Sequence, residues 1–529
     1  MDGANAAHRC QHDRQTAHVQ GLGGVMTEAK YFGKVYTPAW VVGHMLTPMF
    51  EESLADVHVC DPACGSGDFL VPIVEEVCKR AIKAPDKDHA KYLATLRQLT
   101  GYDIDGTAVR RCRERLSAAV EKGLGQYYPV DFWRIFKADA MDMWLCDTEK
   151  FDWVVGNPPY VRIQHLEAKR RDKIRRAGWK YFQGLSDLYI VFFELGLRLL
   201  KEGGNLIFIS PSGWIRNGAG KAMRKDLEAN HGIVSLKDFR DWQVFPGVST
   251  YTCISHIHKG GGIKKEEVFQ WDGEAFINSC RLARSASRWA VIALSVDKAN
   301  EEGSVKKLSE IADIHVGIQT LADKVFILQV VRWVEGFVFV EANDTRFPLE
   351  KGAVRRILKA SVLKDGKDRV NRVAIYPYDN KGKLIPEDEF EDKFPCAYAW
   401  LVVNKDRLLA RDKGTFSESK WFGYGRKVGI LSALGYKILT SSMNPKPNFQ
   451  ICDDPKALFY SGYCIKPRRS TSVDLKILQE DLEKLQKELN SPAMAQHVRA
   501  FSQPFRGGWY SYAKRYIQDF PIGVPLAST

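Results

Sequence analysis

The sequence lacks several patterns that would place it in other classes of protein. No apolar run reaches the ~18 residues of a membrane-spanning helix, and no secretory signal pattern opens the chain. The 11 cysteines include no Cys-x-x-Cys pair, which disfavours a disulfide framework or a zinc site and favours reduced thiols. We therefore expect a cytoplasmic protein with no bound metal and no membrane contact.

Length and charge narrow the remaining classes. At 529 residues the chain is too long for one core, so two or three domains are expected. The formal net charge of +13 suits a polyanionic partner. More than half of this excess lies in residues 301–529, which hold 36 Lys and Arg against 28 Asp and Glu. Residues 1–26 are polar and we expect them to be disordered, with Met26 as an alternative start.

The segment Asn157-Pro158-Pro159-Tyr160 is the most specific motif of the chain. It follows residues 151–156, an apolar run that predicts a buried strand ending at a glycine. The two prolines fix φ and remove two N–H donors, so the Pro158 carbonyl has no local partner. That carbonyl and the Asn157 side-chain oxygen would accept from a planar amino group, while Tyr160 offers a ring for stacking. The simpler alternative is an ordinary strand-end turn.

A nucleotide-binding edge is predicted upstream of this motif. Residues 57–70 predict a strand, a glycine turn and a helix, and the spacing of the turn is not Gly-x-Gly-x-x-Gly. Asp103, at the next predicted strand end, is placed to bind ribose hydroxyls. Asp139, at the third strand end, could accept a hydrogen bond from an adenine amino group. Each acid alone is equally well explained as a helix cap. Four predicted strands end in polar residues that would share one edge of a parallel sheet: Asp61, Asp103, Asp139 and Asn157.

These motifs resemble, in order and over residues 30–260, those of gamma-class, TaqI-like N6-adenine DNA methyltransferases of restriction-modification systems. The resemblance implies a doubly wound α/β, Rossmann-like, S-adenosylmethionine-dependent methyltransferase domain over residues 27–300. Residues 301–529 resemble the target-recognition domain of such enzymes, a mixed α+β DNA-specificity domain. DNA would lie in the cleft between the two domains.

The resemblance also implies roles for individual residues. Asn157, Pro158, Pro159 and Tyr160 would be catalytic, and Tyr160 and Phe245 would stack on the target base from opposite sides. The methyl group would pass in line to the amino nitrogen of a flipped-out adenine, without a covalent enzyme intermediate. The residues implied to bind S-adenosyl-L-methionine are Thr37, Pro38, Asp61, Ala63, Gly65, Gly67, Asp103, Ile104 and Asp139.

Other expectations concern partners. Arg170, Arg171 and Lys173 follow the catalytic motif, where a DNA backbone would pass, although a merely solvated helix face is the alternative. We expect a monomer that binds double-stranded DNA in a bacterial or archaeal cell, with a separate cognate endonuclease as a further partner. Five leucines at residues 475–489 have 3-4-3-4 spacing, which predicts one amphipathic helix packed on the specificity domain.

Other functions are alternatives to this interpretation. A bifunctional restriction-modification enzyme would need a nuclease module. Only about 30 residues precede the methyltransferase motifs, which leaves no room for such a module there. Residues 391–393 match only half of a nuclease site. Protein glutamine methyltransferases also use an Asn-Pro-Pro-Tyr loop, but they are short and lack the basic C-terminal half. An N4-cytosine enzyme, an RNA methyltransferase and a non-catalytic DNA-binding relative remain as further alternatives.

Overall fold

The computed structural model describes residues 36–142, 148–183, 186–245, 250–262, 266–284, 289–293, 306–363, 368, 370–414, 416–452, 454–468, 475–502, 504–505 and 507–523. The predicted disorder of residues 1–26 and the predicted boundary between residues 300 and 301 lie outside these ranges. We call residues 36–293 the N-terminal region and residues 306–523 the C-terminal region.

The N-terminal region is built on one mixed sheet. Its described strands are β1 (Val59–Asp61), β2 (Leu99–Asp103), β3 (Arg134–Lys137), β4 (Phe151–Gly156), β5 (Leu200–Pro211), β6 (His231–Asp238), β7 (Thr252–Lys259), β8 (Glu267–Trp271), β9 (Phe276–Arg284) and β10 (Trp289–Ala293). They lie in the order β10-β9-β8-β6-β7-β5-β4-β1-β2-β3. Strands β3, β2, β1, β4 and β5 run parallel to one another, whereas β7 is antiparallel to β5.

Helices cover both faces of this sheet. The helices are α1 (Ala39–Phe50), α2 (Leu70–Lys83), α3 (Asp86–Gln98), α4 (Gly106–Leu124), α5 (Ala168–Arg176), α6 (Leu188–Leu199), α7 (Gly213–Arg216) and α8 (Lys221–Asn230).

Side chains alternate between two cores because successive residues of a strand point to opposite faces. Val155 and Ile209 enter the core formed with α1 to α4, while Val154 and Phe208 enter the core formed with α6 and α8. The strands between these cores are nearly continuous apolar runs, as strands buried on both faces require. The predicted doubly wound α/β architecture is confirmed.

The parallel strands bring their carboxyl ends to one edge. Asp61 and Asp103 are the last residues of β1 and β2, Asp139 lies two residues beyond β3, and Asn157 directly follows β4. Because β1 pairs with both β2 and β4, and β2 pairs with β3, all four strand ends are neighbours. The strand ends predicted from the sequence therefore do meet at one edge of the sheet.

The glycine run at residues 260–262 is a turn inside this sheet. In a sequence, a glycine run of this kind is typical of either a turn or a seam between domains. The three glycines have φ of +89°, +74° and +79°, values that favour glycine. Beyond the turn, β8 pairs with β6, and β9 and β10 extend the sheet further.

The C-terminal region has smaller sheets and many short helices. Its strands are β11 (Lys306–Lys307), β12 (Ala312–Val316), β13 (Ile327–Trp333), β14 (Phe337–Ala342), β15 (Thr345–Glu350), β16 (Val354–Lys359), β17 (Arg372–Ile375), β18 (Lys437–Ser441), β19 (Met443–Asn444), β20 (Phe449–Cys452), β21 (Leu458–Tyr460), β22 (Gly462–Pro467), β23 (Pro504–Phe505), β24 (Trp509–Ser511) and β25 (Pro521–Ile522). They form sheets β15-β14-β13-β17-β16-β21, β12-β22-β18-β20, β19-β24-β23 and β11-β25.

The helices of this region separate and cover those sheets. They are α9 (Leu308–Ile311), α10 (Asp323–Phe326), α11 (Glu387–Lys393), α12 (Pro395–Val403), α13 (Lys405–Leu409), α14 (Arg411–Gly414), α15 (Leu475–Leu489), α16 (Pro492–Phe501) and α17 (Lys514–Ile517). The predicted amphipathic leucine helix is confirmed as α15, since its leucines 478, 482, 485 and 489 are buried in a core shared with Ile438 and Phe449.

The two regions touch through described side chains. The guanidinium of Arg240 lies 3.4 Å from the hydroxyl of Tyr510. The rings of Tyr251 and Phe505 meet edge to face with centroids 6.2 Å apart. The loop between β6 and β7 therefore contacts strands β23 and β24 of the C-terminal region.

Candidate active site

A tight glycine turn connects β1 to α2. The Gly67 N–H donates to the Cys64 carbonyl at 2.8 Å, and the Cys64 N–H donates to the Tyr102 carbonyl at 2.9 Å. Gly65 and Gly67 have φ of +51° and +88°. A Cβ on Gly67 would come within 2.7 Å of a neighbouring thiol, while a Cβ on Gly65 would stand in open space. The turn therefore needs glycine at Gly67 for packing and exposes the backbone of Gly65 to a ligand.

Asp103 fastens this turn to the neighbouring strand. Its Oδ2 accepts from the Gly65 N–H at 2.9 Å, and its Oδ1 accepts from the Asp105 N–H at 2.8 Å. Asp105 in turn caps α4 by accepting from the Thr107 N–H at 2.9 Å. The two acids and Ile104 between them line the same pocket. The predicted ribose acid thus also holds the shape of the glycine turn.

Asp61 lies beneath the pocket and is 1% exposed. Its Oδ1 accepts from the Ala63 N–H at 3.0 Å. Burial raises the pKa of this carboxyl to about 8, and the nearby carboxylates of Asp103 and Asp68 raise it further, against the effect of the Ala63 N–H. A Cβ on Gly156 would lie 2.6 Å from Asp61 Oδ1, so the glycine that ends β4 lets the two strand ends approach closely.

The amide of Asn157 is oriented by Thr37. The Asn157 Nδ2 donates to the Thr37 hydroxyl at 3.1 Å, across 120 residues of sequence. Thr37 is buried just ahead of α1, next to Pro38, whose carbonyl accepts from the N–H groups of residues 41 and 42. With the amide nitrogen held by Thr37, the oxygen is the atom of this side chain that can accept from a ligand. Asn157 and Pro159 line the pocket, whereas Pro158 is buried.

Tyr160 and Phe245 are in direct contact. Their ring centroids lie 6.0 Å apart at 71°, and the Tyr160 hydroxyl donates to the Ile209 carbonyl at 3.2 Å. Burial raises the pKa of the Tyr160 phenol well above its usual range. A base stacked on both rings would need them parallel and separated, so this edge-to-face contact must open before both could hold one base.

The basic helix α5 contacts the acids of the edge. Arg170 Nη2 lies 2.7 Å from Asp139 Oδ2, and Lys173 Nζ lies 2.5 Å from Asp142 Oδ1. Arg171 donates to the Gln164 carbonyl at 3.3 Å. Two of the three cations predicted at the DNA backbone are therefore paired with carboxylates, and Arg170 itself lines the pocket.

One pocket is lined by most of the residues that were predicted to bind the cofactor. The other residues predicted to contact the cofactor or the target base are not part of its lining: Asp61, Gly67, Pro38, Pro158, Tyr160 and Phe245. The sequence did not indicate the lining side chain of Phe192, which comes from α6 and is distant in sequence. The predicted residues that line the pocket are Thr37, Ala63, Gly65, Asp103, Ile104, Asp139, Asn157, Pro159 and Arg170.

The sheet order, the glycine turn and the strand-end acids define the fold of S-adenosylmethionine-dependent methyltransferases, followed by a mixed α/β region. Residues 97–245 match the family model described as Eco57I restriction-modification methylase. The sequence is 27% identical to the Type II restriction enzyme and methyltransferase RM.Eco57I of Escherichia coli, over 63% of this chain. It is 24% identical to the Type II methyltransferase M.BstVI of Geobacillus stearothermophilus, over 94% of this chain and 91% of that protein.

The fold has a solved counterpart. The Type IIL restriction-modification enzyme MmeI, solved in complex with DNA, superposes with a TM-score of 0.56 and 14% identity, over 91% of this chain and 65% of that one. The match to RM.Eco57I covers 38% of that enzyme, so this chain spans well under half of its length. The resemblance to DNA methyltransferases of restriction-modification systems is confirmed.

Two features are absent from the described residues. No helix there combines the length and apolar character needed to cross a membrane. No group of three or more His, Cys, Asp or Glu side chains in the same ranges could hold a metal ion. Residues 391–393, which match only half of a nuclease site, lie at the end of α11, where Lys393 donates to Glu389 at 2.6 Å.

Proposed function

We propose that this chain is a site-specific DNA methyltransferase. It transfers a methyl group from S-adenosyl-L-methionine to the N6 amino group of an adenine flipped out of duplex DNA, as the modification part of a restriction-modification system. The observation that carries the proposal is the Asn157 amide, oriented by Thr37 at the end of β4 beside a pocket lined by the glycine turn and Asp103.

The pocket fits a nucleoside cofactor by its chemistry. The backbone at Gly65 faces open space, so a ligand can approach the turn closely. Asp103 would hold the ribose, Asp139 would accept from the adenine amino group, and Thr37 with Pro38 would support the methionine part. When bound, the cofactor supplies an electrophilic methyl group on a sulfonium.

The chain's own residues would then prepare the amino nitrogen of the target. Its two N–H groups would donate to the Asn157 side-chain oxygen and to the Pro158 carbonyl. Two fixed acceptors favour a pyramidal nitrogen whose lone pair is available for in-line transfer. Extrusion of the base costs a few kcal/mol, and stacking on Tyr160 and Phe245 would offset this by ~1–3 kcal/mol per base.

The C-terminal region is proposed to read the DNA. The sequence surplus of basic residues over 301–529 suits phosphate contact. The solved relative MmeI was captured with DNA, which supports DNA as the partner. We propose that the protein acts in the cytoplasm of a bacterial or archaeal cell, as a monomer, beside a separate endonuclease.

One alternative has a specific observation in its favour. RM.Eco57I is named both restriction enzyme and methyltransferase, and the match covers 38% of it. A bifunctional restriction-modification protein is therefore the second candidate, and magnesium-dependent cleavage of DNA by the purified protein would reveal it. Methyl transfer to RNA or to a protein side-chain amide would be tested in the same transfer assay with those substrates.

The test of the proposed role of Asn157 separates binding from transfer. In Asn157→Ala, transfer to DNA should fall by at least about 100-fold because a fixed acceptor of the reacting amino group is lost. Cofactor affinity, measured by calorimetry, should stay within a few-fold of wild type. The matched control is Asn230→Ala, which removes an exposed amide from α8 away from the pocket and should transfer normally. Near-normal transfer by Asn157→Ala would refute the mechanism.

A further inference from the structure

Helix α5 and the turn after β3 are joined by two parallel ion pairs. Arg170 pairs with Asp139, and three residues further along each segment Lys173 pairs with Asp142. The turn is itself closed by the Asp142 N–H donating to the Asp139 carbonyl at 2.8 Å. The inner pair lies in the pocket proposed for the cofactor, and the outer pair lies nearer to solvent, with the lysine side chain 62% exposed.

Both oxygens of the Asp139 carboxylate have donors. Oδ1 accepts from the Met141 N–H at 3.2 Å, and Oδ2 accepts the charged contact from Arg170 at 2.7 Å. The Met141 donor is a backbone group fixed by the turn. The amino group of a bound adenine would therefore share Oδ2 with Arg170 or displace it.

Helix α5 buries few of its side chains. Ile174 is the one buried residue of its nine. The Arg170–Asp139 pair is partly exposed, with 29% and 20% of the two side chains accessible, and ion pairs that keep contact with solvent hold side chains weakly. Segments with few buried contacts open at low cost. Arg170 can therefore leave Asp139 without disturbing a core.

The helix also offers a charge pattern that favours a polyanion. Its sequence, AKRRDKIRR, has six cations and one acid. It follows the loop that carries Asn157 and Tyr160, so a duplex presenting a base to that loop would pass close to it. A phosphate group is thus an alternative acceptor for Arg170.

We propose that Arg170 is a positioning residue shared between cofactor and DNA. It pairs with Asp139 in the free protein, moves to a phosphate when DNA binds, and thereby releases Asp139 to the amino group of the cofactor adenine. Because binding linkage is reciprocal, DNA then tightens cofactor binding and the cofactor tightens DNA binding by the same factor. This inference rests on the proposed function.

The test measures that factor with S-adenosylhomocysteine and a short duplex of arbitrary sequence, because phosphate contacts do not depend on sequence. The dissociation constant of S-adenosylhomocysteine is measured by calorimetry at low salt, without and with saturating duplex. For the wild type, DNA should tighten binding by about two- to five-fold, the range expected for loss of one partly exposed ion pair.

Variants on the same helix assign the effect. Arg170→Ala should bind S-adenosylhomocysteine at least as tightly as wild type without DNA. The ratio of its dissociation constants for S-adenosylhomocysteine without and with DNA should fall to near one. Arg170→Lys should restore part of the ratio. The matched control is Arg175→Ala, which removes an equal charge from a residue that pairs only weakly, at 3.8 Å, with Asp172 of the same helix. Its ratio should remain that of wild type.

The contrary outcomes are distinct. Weaker binding of S-adenosylhomocysteine by Arg170→Ala in the absence of DNA would make Arg170 a direct cofactor contact and overturn the inference. A ratio unchanged by Arg170→Ala, or a wild-type ratio of one, would overturn it as well. If the wild type binds neither S-adenosylhomocysteine nor the duplex, the proposed function on which this inference rests is refuted instead.

Discussion

Asp61 gives the folded protein a pH dependence that can be measured. Its carboxyl is 1% exposed, and burial raises its pKa from 3.8 to about 8. In the unfolded chain the same group is solvated and titrates near its ordinary value. Between these two values the folded protein holds a proton that the unfolded chain has released. Stability contributed by Asp61 must therefore fall as the pH rises towards 8 and stay constant above it.

The size of the effect follows from the linkage of one proton. The slope is about 1.4 kcal/mol per pH unit while the folded form stays protonated and the unfolded form is ionised. At pH 8 the Asp61 carboxyl of the folded protein is half ionised. Its contribution to the free energy of unfolding therefore falls by about 2 kcal/mol between pH 6 and pH 8. Asp61→Asn has nearly the same shape and keeps an oxygen for the Ala63 N–H, but it cannot ionise. The variant should lack this part of the pH dependence.

Urea unfolding of both proteins at pH 6, 7, 8 and 9 provides the assay. The free energy of unfolding of the wild type minus that of Asp61→Asn cancels the other titrating groups. We expect this difference to decrease by about 2 kcal/mol from pH 6 to pH 8 and then to level off. Parallel pH profiles for the two proteins would refute the raised pKa. A difference that grows with pH would show that Asp61 is instead stabilised in its charged form.

Three further predictions follow from individual contacts. Thr37→Val removes the acceptor of the Asn157 amide and should slow single-turnover transfer by about five-fold at saturating cofactor, whereas Thr37→Ser should transfer normally; equal rates would remove the orienting role. Gly67→Ala places a Cβ 2.7 Å from a thiol at a positive φ, so it should cost about 2 kcal/mol or more in urea unfolding; a loss below about 0.5 kcal/mol would contradict this packing. In α15, Leu482→Ala should cost about 2–5 kcal/mol because Leu482 is 1% exposed, while Leu475→Ala, at a residue 56% exposed, should cost under about 0.5 kcal/mol; equal costs would contradict the orientation of the helix.

The strand ends were predictable because they depend on local patterns. An apolar run followed by a glycine or an acid marks where a buried strand stops, and parallel strands must end on the same edge. The positions of Asp61, Asp103 and Asn157 at this edge were therefore predictable from the sequence alone. The leucine spacing of α15 was equally informative, since its period of three and four residues defines one face of a helix.

Other features depend on partners far away in the sequence. Nothing local to Arg170 indicates that it reaches Asp139, because the pairing follows from how α5 crosses the sheet edge. The extension of the sheet by β8, β9 and β10 was missed since the glycine turn ahead of them gives the same pattern as a domain seam. The edge contact of Tyr160 with Phe245 is likewise a matter of tertiary packing, which the motifs alone do not specify.

The most direct test of the central claim uses the purified protein, labelled S-adenosyl-L-methionine and unmethylated bacterial DNA. The modified nucleosides are then identified by mass spectrometry. The account predicts transfer of label to DNA and N6-methyladenine as the product. Methylated cytosine would contradict the assigned base, and absence of any transfer to DNA would contradict the proposed function.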